Sequence, residues 1–129
     1  MGERDRFRLD EFELYRSARE FRKRIYRLAR GLPGPEEYCL GIQLRRAAIS
    51  VTNNIAEGHG RWHFQDNIRF CRISRGSVEE IIDDLNVCED EGYAEPALIN
   101  ELRSEAYQLI ERINSYIGYL RKSKRAMEE

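Results

Sequence analysis

The chain has few of the residues that specify disulfide frameworks, metal sites or membrane spans. Its 129 residues include only three cysteines, three prolines and two histidines. Cys39, Cys71 and Cys88 are odd in number, widely spaced and without a CxxC pair, so neither a disulfide framework nor a zinc site is predicted. No stretch approaches the roughly 18 consecutive apolar residues of a membrane span, and the N-terminal sequence MGERDRFRLD is too charged for a secretory signal. We therefore expect a cytoplasmic protein.

Net charge is also nearly absent, since 22 lysines and arginines face 23 acidic residues and the formal charge is −1. A generally basic surface, of the kind that binds phosphate backbones, is therefore not predicted. The charges are nevertheless segregated along the chain. Residues 1–35 hold ten basic against six acidic residues, a net +4, and residues 63–94 hold three against eight, a net −5.

Apolar residues recur with a helical period along the chain, and no segment alternates as a β-strand does. Glycine and proline interrupt these series at residues 31–35, 58–60 and 92. The sequence predicts a single domain, residues 1–129, with helices at about 10–30, 36–57, 63–91 and 96–121. The connections are short, and no helix can bury its apolar stripe alone. We therefore predict an all-α fold, an antiparallel up-down-up-down four-helix bundle.

The second predicted helix has three distinct faces. Its apolar stripe is turned toward the core and consists of Leu40, Leu44, Ala47, Val51 and Ile55. A polar lane lies beside that stripe and consists of Gln43, Arg46, Ser50, Asn54 and Glu57. On the far side three apolar residues repeat every seven positions: Ile42, Ile49 and Ala56. Such a helix is expected to contact more than one neighbour.

The first predicted helix carries a basic stripe opposite its apolar face: Arg16, Arg19, Lys23, Arg27 and Arg30. Three interpretations stay open. The stripe is a solvated face with intrahelical ion pairs, a contact for RNA, DNA or another partner, or a contact between subunits. The third interpretation has a complement, an acidic stripe on the third helix: Glu79, Glu80, Asp83, Asp90 and, at its edge, Asp84. In a ring of identical subunits, the basic stripe of one copy would meet the acidic stripe of the next.

Candidate interface residues follow from these patterns. Ile42, Ile49 and Ala56 are the candidate apolar part of an oligomer interface, and Glu79 and Asp83 are the candidate acidic part. The alternative for the two isoleucines is a core wide enough to cover both sides of the helix.

The polar lane is either a binding site or a device that fixes which helices pair. We favour the second interpretation, because buried polar groups need partners and the third helix offers Ser77 and Glu80 to Arg46 or Asn54. Gly76, inside the third helix, is explained either by a close approach of two helices or by a bend.

Catalytic and cofactor-binding motifs are not found, so we expect no enzymatic activity, no cofactor and no metal. His59 and His63 are four residues apart, but the neighbouring glycines argue against a continuous helix through them. The chain has no Glu-x-x-His pair for a di-iron bundle and no phosphate-binding loop. Trp62 and Phe64 are interpreted as a core or interface plug, with base stacking beside Arg61 as the alternative.

The stretch QLRRAAISVTNNIAEGHGR, followed by Phe70 and by RGSVEE from Arg75 to Glu80, resembles a known family. It is similar to the bacterial four-helix-bundle proteins encoded in intervening sequences of 23S ribosomal RNA genes, and the resemblance extends from about Phe12 to Leu120. The motif residues, which we expect to be structural, are Gln43, Arg45, Arg46, Ser50, Asn54, Glu57, Gly58, Gly76, Ser77 and Glu80.

The resemblance implies a bundle that assembles into a ring-like homopentamer, without an established enzymatic activity. A more distant relative, the accessory protein of diversity-generating retroelements, is a strongly basic pentamer that partners reverse transcriptase and binds nucleic acid. This chain departs from that relative because its net charge is −1. We therefore expect a self-assembling scaffold or adaptor that acts through protein or nucleic-acid partners. The alternatives are direct RNA or DNA binding by the basic face of the first helix, as in a reverse-transcriptase partner, and a small-molecule pocket in the core.

Overall fold

The computed structural model describes residues 8–128, without the side chain of Glu128. These residues form four α-helices and no β-strand: α1 is Glu13–Arg30, α2 is Leu40–His59, α3 is Phe64–Glu91 and α4 is Pro96–Glu128. Two short 3-10 helices, Leu9–Glu11 and Gly34–Tyr38, precede α1 and α2. The predicted all-α class with four helices is confirmed for this part of the chain. None of the four helices is long and apolar enough to cross a membrane.

Several helix bounds differ from the predicted ones. The segment predicted to open the second helix at residue 36 forms a 3-10 helix instead, and α2 begins only after Cys39, whose backbone angles (φ −114°, ψ −86°) depart from the helical path. α2 then passes through Gly58 and ends at His59. α4 extends to Glu128 rather than ending near residue 121. α2 can continue through Gly58 because a glycine inside a helix lowers stability by only about 1 kcal/mol, which the packing of neighbouring turns can offset.

The end of α3 is set by Gly92, which adopts the left-handed conformation (φ +69°) that glycine tolerates best. The backbone N–H of Gly92 donates to Glu89 O at 3.2 Å, and that of Tyr93 donates to Cys88 O at 2.9 Å. These bonds satisfy carbonyls that the end of a helix leaves without partners. Pro96 then begins α4, where its missing N–H is not needed.

Side chains from all four helices form one hydrophobic core. The apolar series that the helical period predicts for α1 (Leu14, Ala18, Phe21, Ile25 and Leu28) and the stripe of α2 are buried in full. In the series predicted for α3 and α4, Phe64 and Tyr116 are only partly buried. The largest fully buried side chains include Phe21, Ile25, Leu44, Ile55, Ile68, Ile81, Leu85, Ile99, Leu102, Ile113 and Leu120. Each such side chain contributes about 1.5–3 kcal/mol relative to exposure, more than an exposed ion pair does.

Consecutive helices are neighbours, since α1 packs against α2, α2 against α3 and α3 against α4. α1 also contacts α4, which closes the bundle. α1 and α3 thus share both neighbours and occupy opposite corners of the bundle.

Candidate interaction surfaces

The seam between α2 and α3 is closed by small hydroxyl side chains of both helices, with Ser50 as the one from the polar lane. Ser50 Oγ and Ser77 Oγ are 2.7 Å apart, and buried Ser74 donates its hydroxyl to Val51 O at 2.8 Å. Asn54 Nδ2 donates to Ser50 O and Ser50 Oγ at 2.8 and 3.0 Å. Ser77 is therefore a partner of the polar lane, but it bonds Ser50 rather than Arg46 or Asn54, the two residues considered from the sequence. These bonds satisfy polar atoms where the two helices come close.

Other motif residues lie at the surface: Gln43, Arg46, Glu57 and Glu80. Glu57 forms an exposed ion pair with Arg61 at 3.2 Å, near the end of α2. Half-buried Arg45 donates from Nη2 to Glu37 O at 3.3 Å, which ties the first turns of α2 to the 3-10 helix before it. Sequence reasoning missed this bond, because its acceptor is a backbone carbonyl with no signature in the residue pattern.

Gly58 is the glycine at which two helices approach most closely. A Cβ there would lie 2.6 Å from Asn67 Oδ1, 3.2 Å from Asn67 O and 3.2 Å from Phe70 Cβ. Asn67 is fully buried and donates to Tyr116 Oη at 3.0 Å, so α2, α3 and α4 meet at this point. The close approach considered for Gly76 is wrong. Gly76 is exposed, and a Cβ there would meet no atom within 4 Å.

α3 contains one buried carboxyl group, Asp84, which is only 8% exposed. Its expected place at the edge of the acidic stripe is wrong, because Asp84 follows Ser77 by seven residues and shares the inward face of the helix. Burial raises the pKa of Asp84 to about 6, and the nearby carboxylates of Asp83 and Glu80 also raise it. Within residues 8–128, no hydrogen bond or ion pair holds this carboxylate.

All five members of the basic stripe of α1 are exposed: Arg16, Arg19, Lys23, Arg27 and Arg30. Lys23 forms an ion pair with Glu20 at 3.2 Å, and within the described chain the four arginines form none. A groove of about 660 Å3 runs between α1 and α4, and its walls include Arg16 and Arg19 together with Glu20 and Glu105. Basic and acidic side chains therefore share the walls of this groove.

The candidate interface residues on the outside of the bundle differ in exposure. Ile49 is 40% exposed and lines a smaller groove beside Tyr26 and Arg27 of α1, whereas Ile42 and Ala56 are half-buried. Glu79 and Asp83 are exposed on α3. A further apolar residue on α3, Ile73, is 44% exposed. Sequence reasoning missed Ile73, although an available signal was that it lies off the predicted apolar series of α3, which is Phe64, Ile68, Cys71, Val78, Ile81, Leu85 and Cys88.

An aromatic row crosses one end of the bundle. The ring centroids of His59 and Phe12 are 5.1 Å apart, those of Phe12 and Tyr116 are 4.9 Å apart, and those of Tyr116 and Tyr119 are 6.0 Å apart. Tyr119 is 59% exposed, and Trp62, in the link between α2 and α3, is 62% exposed. Trp62 is therefore not a core residue, and the interpretations that remain for it are an interface and base stacking.

The link between α2 and α3 and the first turns of α3 add cations to this aromatic end. The guanidinium carbons of Arg61 and Arg69 lie 5.1 and 4.6 Å from the ring centroid of Phe70, within the range of a cation–π contact. Phe64 is partly buried against the core.

The histidines and cysteines form no cluster suited to a metal ion. Within the described residues, no group of three or more histidine, cysteine or acidic side chains is placed to hold one. Burial raises the pKa of the Cys71 and Cys88 thiols to about 11, so both stay protonated at neutral pH. Cys39 is exposed.

Comparison with known proteins agrees with the resemblance seen in the α2 motif. A family model described as 23S rRNA-intervening sequence protein matches residues 10–115. Among solved structures, the chain is similar to a protein of unknown function from the S23 ribosomal protein family of Bacteroides thetaiotaomicron. The two are 20% identical, the match covers 81% of this chain and 97% of that one, and the TM-score is 0.76, so the likeness concerns the fold. No match was found among curated proteins.

Proposed function

Because this chain belongs to the 23S rRNA-intervening sequence protein family, we propose that it is a self-assembling, non-enzymatic bundle of the cytoplasm. It acts as a scaffold or adaptor for protein or nucleic-acid partners. The observation that carries the proposal is the placement of opposite charges, since the basic stripe lies on α1 and the acidic stripe on α3, at opposite corners.

The four helices of this bundle run antiparallel, in up-down-up-down order. Support comes from the bonds between α3 and α4, in which the residue number rises on one helix as it falls on the other: Gln65 with Lys124, Arg75 with Asn114, and Asn86 with Arg103. The same trend relates α1 to α4, where Ser17 bonds Arg112 and Arg24 bonds Glu105.

Charges at opposite corners favour a ring over a two-fold dimer. When two different patches of identical subunits meet head to tail, each copy still offers a free patch to the next, and the chain of contacts closes if the rotation is suitable. Five copies is the number that the resemblance implies. Exposed ion pairs contribute only about 0–1 kcal/mol each, so the charges set register, and apolar residues such as Ile49 and Ile73 supply the adhesion.

Charge reversal tests the pairing of the two stripes. We expect the double variant Lys23→Glu/Arg27→Glu to have a lower mass in size-exclusion chromatography with light scattering, at unchanged helix content. Adding Glu79→Lys and Asp83→Lys restores the mass, because the contact is then reversed on both sides. Lys122→Glu/Arg125→Glu makes the same change in net charge away from both stripes and serves as the control. An unchanged mass in the first variant contradicts the stripe pairing.

Ile49→Glu tests the apolar part of the interface. At an interface position this variant is a folded protein of smaller assembly mass, whereas at a core position it unfolds. Ile49 is 40% exposed, which supports the interface position and a folded variant of smaller mass. Circular dichroism together with light scattering separates the two outcomes.

A second candidate function is direct RNA or DNA binding by the basic stripe of α1. It is favoured by the four exposed arginines without ion pairs among the described residues, and disfavoured by the carboxylates of Glu20 and Glu105 in the adjoining groove. An electrophoretic shift of ribosomal RNA fragments that is lost in Arg16→Glu/Arg19→Glu and falls steeply with salt supports this function.

A further inference from the structure

Two segments that are distant in sequence meet at the aromatic end of the bundle. Lys124, in the last turns of α4, donates to Gln65 Oε1 at 3.3 Å, and Asn67 donates to Tyr116 Oη at 3.0 Å. The exposed link with Trp62 precedes Gln65 by three residues. It therefore lies beside the C-terminal turns of α4.

This end of the molecule concentrates positive charge. Residues 57–70 contain two arginines and two acidic residues, Glu57 and Asp66, and residues 119–129 contain four basic residues and two glutamates. Together the two segments carry six cations against four carboxylates, a net +2, whereas the whole chain carries −1. The rest of the chain consequently carries −3, so anions are more favoured at this end than the net charge of the chain alone indicates.

Two aromatic side chains are exposed among these cations. Trp62 is 62% exposed and Tyr119 is 59% exposed. Tyr119 is supported from behind by the stacked ring of Tyr116, so its ring is held in place rather than free to collapse onto the surface. Flat, exposed aromatic rings beside cations are the features by which proteins bind unpaired bases and their phosphates together.

We propose that this end, defined by Trp62, Tyr119 and the cations of residues 61–69 and 121–125, binds single-stranded nucleic acid. Bases stack on the two aromatic rings, and the arginine and lysine side chains neutralise phosphates. A duplex is disfavoured because its bases are already stacked and do not offer their faces. The site is separate from the basic stripe of α1, whose groove also contains the carboxylates of Glu20 and Glu105, and it does not depend on self-assembly.

The lone tryptophan of the chain makes the test direct. Titration with a six-nucleotide single-stranded oligonucleotide at low salt is expected to quench Trp62 emission in a saturable manner, and a duplex of the same length does so at least 10-fold more weakly. The logarithm of the binding constant falls with that of the salt concentration with a slope of about −0.7 per phosphate contacted. Absence of saturable quenching, or equal binding of the duplex, overturns the proposal.

Charge variants locate the site. Lys122→Glu/Arg125→Glu is expected to weaken binding by more than about 10-fold, whereas Arg16→Glu/Arg19→Glu, with the same change in net charge, changes it by less than about 3-fold. The short oligonucleotide spans a single site, so any change in assembly mass does not alter the comparison through multivalency. If Arg16→Glu/Arg19→Glu weakens oligonucleotide binding as much as Lys122→Glu/Arg125→Glu does, the binding belongs to the basic stripe of α1 and the proposal is overturned.

Substitution of Trp62 separates stacking from self-association. With a labelled oligonucleotide followed by anisotropy, Trp62→Ala lowers the affinity by about 10-fold and Trp62→Phe restores most of it, in line with the contribution of one stacked base. If Trp62→Ala instead lowers the assembly mass and leaves oligonucleotide affinity unchanged, this surface contacts a second copy of the chain and the proposal fails.

Discussion

The α2–α3 seam and the α1–α4 seam of the same bundle are built in different ways. The α2–α3 seam joins Ser50 to Ser77 and Ser74 to the backbone of Val51, and Gly58 lets the two helices touch. The α1–α4 seam is bridged by Arg24, which pairs with Glu105 at 2.6 Å and with Glu101 at 3.2 Å, and it leaves a groove of about 660 Å3.

The size of the side chains explains the contrast. Small residues let two helix backbones approach, so that hydroxyl groups reach across and apolar neighbours lose their contact with water. Long charged side chains hold two helices apart, and ion pairs that remain open to water contribute only about 0–1 kcal/mol. We therefore expect changes in the α2–α3 seam to alter stability more than changes in the α1–α4 seam.

The largest expected effect is that of Asp84→Asn, which removes the unpaired buried charge from α3. The folded pKa of about 6 exceeds the ordinary value of 3.8, so the folded protein binds more protons between these values and loses stability as pH rises from about 4 to about 6. Above pH 6 the penalty is on the order of 3 kcal/mol. Asp84→Asn removes it and stabilises the protein at pH 7.5 but not at pH 4, as urea unfolding at both pH values would measure.

Exposed Asp83 provides the matched control for this change. Asp83→Asn is expected to alter stability much less at pH 7.5. If Asp84→Asn brings no gain at pH 7.5, the buried carboxylate does not destabilise the fold and the raised pKa is contradicted.

The second prediction compares one substitution at two glycines. Gly58→Ala is expected to lower the free energy of unfolding by about 2 kcal/mol, because the new Cβ overpacks the contact with buried Asn67. Gly76→Ala raises it by up to about 1 kcal/mol, since Gly76 is exposed, helical and free of neighbours within 4 Å. Thermal and urea unfolding of both variants measure the difference. Equal effects at the two sites would show that the helices do not meet at Gly58.

A third change removes one bond from the α2–α3 seam. Ser74→Ala deletes the buried donor to Val51 O and is expected to cost about 1 kcal/mol. Exposed Ser104 on α4 is the control site, where Ser104→Ala changes stability by less than about 0.5 kcal/mol. If Ser74→Ala lowers the free energy of unfolding no more than Ser104→Ala does, the Ser74 hydroxyl bond does not stabilise this seam.

The smallest expected effect is at the α1–α4 seam. Arg24→Met removes both ion pairs but keeps an apolar stem, so the expected loss is at most about 1 kcal/mol. Because the carboxylate partners reach solvent, the loss shrinks when urea unfolding is repeated at 0.5 M salt. A loss larger than that of Gly58→Ala would reverse the ranking of the two seams.

The helical periods predicted most of the fold. The stripes of α1 and α2 are buried as expected, because a spacing of three and four residues brings side chains to one face whatever the neighbours are. Ends of helices were less predictable, and α2 passes through Gly58 because contacts with α3 offset the low helix propensity of glycine. Two helices approach closely at Gly58 and not at Gly76. The sequence does not distinguish the two glycines, because the distance between helices has no signature in either helix alone.

The candidate surfaces were predicted only in part. Exposure of the basic stripe follows from its position opposite the apolar face, and it is seen for all five members. The aromatic end was not predicted as a unit, since residues near Trp62 and near Lys124 are about sixty positions apart and only the packing of α3 on α4 joins them. Asp84 was misplaced because a stripe edge on a helix faces solvent or core according to the angle at which the neighbouring helix crosses.

By itself the sequence determined the all-α class, the number of helices, their inward faces and the family to which the α2 motif belongs, because each of these follows from local spacing and residue type. Only the tertiary structure decided which small residues touch, which carboxyl group loses its water and which distant cations share one end of the bundle. Those properties depend on distances between helices, and such distances result from the packing of all four stripes at once.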